Sequence, residues 1–121
     1  PGGFLVAAAD LAAFGSGWAS EGVSVAVFDR LDTSAEQMLD GSSLHASCTF
    51  VDQWSYEPPN LAMTTWNRFR DCGGTAWMSF EVAGHGADAS YIVVFQFRLP
   101  EDPGPRLVEH VVESFRYEPG V

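Results

Sequence analysis

Between residues 48 and 99 apolar side chains recur at every second position, in runs rich in β-branched and aromatic residues. These runs, residues 48–57, 61–72, 75–83 and 90–99, are separated by turn formers. Their short connections suit hairpins, so the pattern predicts an antiparallel sheet. Upstream, residues 4–9 and 22–28 read as two shorter strands. Asp10 can cap a brief helical turn carrying Leu11 and Phe14, which Gly15-Ser16-Gly17 breaks. Thr33 or Ser34 caps a short helix with Glu36 in its first turn, an apolar stripe of Ala35, Met38 and Leu39, and a stop at Gly41. Near the end, Leu107, Val108, Val111, Val112 and Phe115 share one helical face, with Glu109, His110 and Glu113 opposite or flanking it. Pro103 or Pro105 suits the start of that helix. Strands punctuated by helices, without a βαβ rhythm, predict an α+β fold. The expected architecture is an antiparallel sheet of about five strands flanked by two or three helices, with α/β/α-like layering and one disulfide. No repeat or low-complexity tract divides residues 1–121, which read as a single globular domain.

A hairpin turning about Pro59-Asn60 pairs residues whose numbers sum to 120. One face then sets Cys48 against Cys72, Phe50 against Arg70, Asp52 against Arg68, Trp54 against Trp66 and Tyr56 against Thr64. The other pairs Val51 with Phe69, Gln53 with Asn67 and Ser55 with Thr65. An aromatic pair and an opposite-charge pair each stabilise a sheet by roughly 0.2 to 1 kcal/mol, and a one-residue slip loses them. Opposed cysteines lie close to disulfide separation, which predicts a Cys48–Cys72 bridge. Two buried thiols are the alternative. A bridge implies an oxidising compartment, at the cell exterior or in the envelope.

Composition narrows the function classes. The chain has 121 residues, 46% of them hydrophobic, and carries 16 carboxylates against 6 basic residues, all arginine, for a formal charge of −10. A field of that sign repels phosphate backbones and anionic lipid, so neither nucleic acid nor a membrane surface is an expected partner. No apolar run approaches the roughly 18 to 20 residues that span a bilayer, and these residues are expected to carry neither an anchor nor an intact signal peptide. The absence of lysine points to the codon bias of a high-GC genome.

Few side chains suggest chemistry. His85-Gly86-Ala87-Asp88-Ala89-Ser90 contains the residue types of a hydrolase triad, yet triad partners converge from separate segments. A solvated hairpin loop is the expectation there. Glu109, His110 and Glu113 lack a second ligand cluster, Asp29, Asp32 and Asp40 form no calcium-loop array, and His45 stands alone. No metal or cofactor is therefore expected, and no catalytic residue. What remains is aromatic: Trp54, Tyr56 and Trp66 share a sheet face with Asp52, Arg68 and Arg70, and Trp77 extends it if Ala76, Met78, Phe80 and Val82 face the core. Trp, Tyr and Arg combine contact area with polar handles. Trp54, Tyr56, Trp66, Arg68 and Trp77 are thus the candidate binding residues for a protein, peptide or glycan. Burial of that face under a helix is the competing outcome.

These features together resemble a secreted actinobacterial module of the PsbP-like α/β/α class, found alone, in lipoproteins or beside trypsin-like serine protease domains. The matching features are the Gly22-Val23-Ser24-Val25 strand after Trp18, the short helix, Cys48, Trp54-Ser55-Tyr56, Trp66 with Cys72-Gly73-Gly74, and the last helix through Ser114-Phe115. The resemblance implies a noncatalytic extracellular accessory or binding module, in some cases one domain cut from a longer secreted protein. An extracellular hydrolase, or a fragment of one, is the alternative.

Overall fold

A computed structural model describes residues 4–8, 22–28, 34–86, 91–101 and 105–114, with backbone alone at 4–8 and 105. In chain order the elements are strands β1 (Phe4–Ala8) and β2 (Gly22–Phe28), helices α1 (Ala35–Asp40) and α2 (Leu44–Ser47), strands β3 (Thr49–Trp54), β4 (Ala62–Arg70), β5 (Met78–His85) and β6 (Ile92–Leu99), and helix α3 (Pro105–Glu113). The strands form one six-stranded sheet in the order β1-β2-β6-β5-β4-β3, antiparallel throughout. This is the α+β architecture that the alternation predicts. The turn expected around Asp10, the Gly15-Ser16-Gly17 break, Thr33, Asp88, Ser90 and Phe115 lie outside the described residues.

Helices cover both faces of the sheet. On one, Val108 and Val112 of α3 pack against Val25, Val27, Trp66, Phe80, Val82, Val93, Phe95 and Phe97. On the other, Ala35 and Leu39 of α1 pack on Ala83 and Val94, while Leu44 of α2 meets Phe69 and Cys72. Six residues are too few for a helix to persist alone, so α1 depends on its cap and on docking. Ser34 Oγ accepts from the Gln37 N–H at 3.1 Å, and Gln37 Oε1 accepts from the Ser34 N–H at 3.0 Å, completing a capping box. The four-residue α2 has a single buried apolar side chain, Leu44, and therefore no periodicity to announce it.

The central hairpin holds the expected register over Asp52–Arg68, Gln53–Asn67 and Trp54–Trp66. Toward the sheet end a bulge intervenes, and Phe50 pairs with Phe69 and Thr49 with Arg70. The expected Phe50–Arg70 and Val51–Phe69 pairs are thereby corrected. Val51 is the extra residue, and it leaves Phe50 edge-to-face with Phe69 at a centroid distance of 5.7 Å. At the other end, Tyr56–Thr64 and Ser55–Thr65 are not ladder pairs. Instead Tyr56 O accepts from Thr64 Oγ1 and from the Trp66 indole N–H, the latter at 2.7 Å.

Cys48 and Cys72 are bridged, with Cα atoms 4.1 Å apart. Asp71, with a left-handed φ of 52°, ends β4 and leads Cys72 into a tight turn beneath Leu44. The bridge closes a sequence separation of 24 residues, for which the chain-entropy relation gives about 3 to 4 kcal/mol. Cys48→Ala/Cys72→Ala should lose stability of that order in denaturant unfolding. Intact mass should rise by two hydrogens only after reduction of the native protein.

Candidate functional site

Trp54 is the last residue of β3, an edge strand, and its ring is held from two sides. It stacks on Trp66 at 5.9 Å with 25° between the planes, and meets Phe80 edge-to-face at 6.2 Å. Two residues earlier on the same face, Asp52 takes a two-pronged bond from Arg68, with Nε to Oδ1 at 3.0 Å and Nη2 to Oδ2 at 2.8 Å. Such a fork fixes geometry as well as charge. Helix α3 crosses this part of the sheet and brings Glu109 opposite the pair. Asp52, Trp54, Arg68 and Glu109 line a cleft of about 230 Å³. Among the described residues the Glu109 side chain makes no hydrogen bond or ion pair, and the buried indole N–H of Trp54 has no acceptor.

The other candidate residues divide around this cleft. Tyr56 is at the rim, edge-to-face on Trp66, and its hydroxyl donates to Glu113 at 3.1 Å. A carboxylate acceptor there disfavours the phenolate and raises the Tyr56 pKa. Trp66 is wholly buried, so it supports Trp54 from below and is closed to any partner. Arg68 forms a wall. Trp77 precedes β5 and makes no ring contact with Trp54, Tyr56 or Trp66; its backbone instead closes the Cys72 turn. Arg70 is exposed beside Asp71, on the far side of the bulge. Of the residues the alternation singles out, the fold joins Trp54, Arg68 and Tyr56, and it adds Glu109, which the helical pattern alone places on a solvated face.

No protein-family model matches the chain. A search among curated proteins likewise finds no significant match.

Elsewhere the chemistry is structural. His85 is not in a solvated loop: it closes β5 opposite Ile92 and is buried. Gly86 follows because a Cβ there would lie 2.3 Å from the Tyr91 ring. Among the described residues no group of three or more His, Cys, Asp or Glu could hold a metal ion, and no helix is long and apolar enough to cross a membrane.

A polar row crosses the sheet beneath α1 and α2, formed by Gln53, Asn67, Glu81, Gln96 and Ser24 on successive strands. Gln53 donates to Asn67 Oδ1 at 2.8 Å, and Ser42 Oγ donates to Glu81 Oε2 at 3.0 Å. Glu81 Oε1 has no partner. Burial raises the Glu81 pKa above its ordinary value of 4.5, against the opposing hydrogen bonds of Ser42 and Gln96 and the charge of His45. The folded chain therefore retains a proton that the unfolded chain has released. The stability this group contributes is complete below the ordinary value and is lost as pH rises through the raised one. Comparing Glu81→Gln with wild type by thermal unfolding should show wild type losing ground as pH rises above 4.5, with little change below it. A constant difference would contradict a buried, titrating Glu81.

Proposed function

We propose that this protein is a noncatalytic binding module working outside the cytoplasm, and that its partner engages the cleft around Trp54. The observation that carries this reading is the state of Trp54. A large aromatic side chain at a sheet edge is half-buried rather than covered, with a donor that lacks an acceptor and a lone carboxylate facing it. Aromatic anchors beside a fixed arginine–carboxylate pair are a common basis of recognition, because ring area supplies affinity and the fork supplies orientation.

The supporting parts have distinct roles. Trp66 and Phe80 hold the Trp54 ring, so little conformational freedom is lost on binding. Tyr56 ties the rim to α3 through Glu113, fixing the distance between the sheet and Glu109. The disulfide supports an oxidising environment, since such bridges are rare where thiols are kept reduced. Nothing in this arrangement favours the hydrolase alternative, since Asp52 is tied to Arg68 and His85 is enclosed at the end of β5.

The test is binding on glycan and peptide arrays, followed by the same measurement with Trp54→Leu and Trp77→Phe. Ligands found with wild type should be lost at least tenfold in Trp54→Leu and kept in Trp77→Phe, a difference of about 1.4 kcal/mol or more. Ligands that bind both variants equally would place recognition elsewhere and end this reading.

A further inference from the structure

The charges lining the cleft select among ligands. Asp52 is matched by Arg68, whose Nε and Nη2 are both committed to it. Among the described residues Glu109 is unmatched, and Arg106, exposed three residues earlier on α3, makes no ion pair with it. Counting Asp52 as −1, Arg68 as +1 and Glu109 as −1, the described lining of the cleft keeps one net negative charge beside an indole ring. The whole chain carries −10 and draws cations toward it. An anionic ligand would face two carboxylates with the local guanidinium already engaged. A neutral sugar would stack on the ring but leave Glu109 uncompensated.

Resting on the binding reading above, we propose that the cleft takes the side chain of a lysine or arginine from a basic peptide segment, its cation set between the Trp54 ring and the Glu109 carboxylate. The negative face of an indole attracts an ammonium or guanidinium group, and the alkyl stem of such a side chain suits the apolar part of the wall. Glu109 then acts as a specificity-determining residue: it discriminates by charge, while Trp54 supplies contact with ligands of several kinds.

The experiment is an NMR titration of the whole chain, following the Trp54 indole N–H resonance with three probes: an acetylated, amidated Gly-Lys-Gly peptide, its Gly-Gln-Gly counterpart, and a neutral oligosaccharide. The lysine peptide should shift the resonance and bind roughly fivefold or more tightly than the glutamine peptide, the scale of one exposed ion pair with a cation–π contact. Its affinity should weaken with added salt. Glu109→Gln, at a helix position whose replacement leaves the core intact, should erase the preference for lysine while leaving residual binding. Equal binding of both peptides, or a response to the oligosaccharide alone, would overturn the cation inference while leaving the cleft as the binding site. No response at Trp54 to any probe would overturn this inference and, with blank arrays, the binding reading as well.

Discussion

One extra residue in β3 decides which side of the sheet each half of that strand serves. Strand side chains alternate between faces, so inserting Val51 between Phe50 and Asp52 exchanges the faces on either side of it. Beyond the bulge, Asp52 and Trp54 point toward α3 and form the cleft with Arg68 and Glu109. Before it, Phe50 and Cys48 join Phe69, Leu44 and Cys72 beneath α2. Without the bulge the disulfide and the aromatic stack would compete for one face. With it, the cross-link clamps one side of the edge strand and leaves the other side to the cleft under α3.

Two adjacent rows of the ladder, on opposite faces of the sheet, have opposite chemistry. Trp54, Trp66, Val82, Phe95 and Val25 form one row across five strands, apolar at every position. The adjacent row on the opposite face is Gln53, Asn67, Glu81, Gln96 and Ser24, polar at every position. Apolar burial holds α3 in place, whereas the connection between α1 and α2 is held by directional bonds. Ser42 serves both sides of that connection, donating to Glu81 and accepting from the Leu44 N–H at the start of α2. A buried carboxyl is expensive unless satisfied, and Glu81 is satisfied on one oxygen only.

How far the sequence could be read follows the range of the interaction concerned. The inner hairpin was legible because Asp52–Arg68 and Trp54–Trp66 are complementary in one register alone. Helix α1 was legible through its cap and stop, and α3 through Val108 and Val112. The bulge was not: Val51 is apolar, so the alternation reads acceptably with or without an inserted residue. Nor could the pattern separate Trp54 from Trp66, since the two differ only in strand position. β4 lies inside the sheet next to β5, so its tryptophan is covered, while β3 is an edge and its tryptophan remains half-open. Glu109 enters the site because of where α3 docks, which no helical periodicity encodes. His85 misled because flanking glycines suggest a loop, whereas Gly84 and Gly86 are there for close approach, to Thr64 and to Tyr91.

The strand order also sets an entropic sequence for assembly. Strands β3 to β6 are neighbours in both chain and sheet, so each pairing closes a short loop. The β2–β6 pairing, by contrast, joins Gly22 to Arg98 and spans most of the chain. Closing a longer loop costs more, and non-local pairing slows folding. The meander is therefore the half whose pairings close the shorter loops, and joining β2 to β6 is the costlier, non-local closure. The Cys48–Cys72 loop lies wholly within the half built from local pairings. The cross-link therefore constrains only strands that are already sequence neighbours, and the non-local β2–β6 seam is left without a covalent tie.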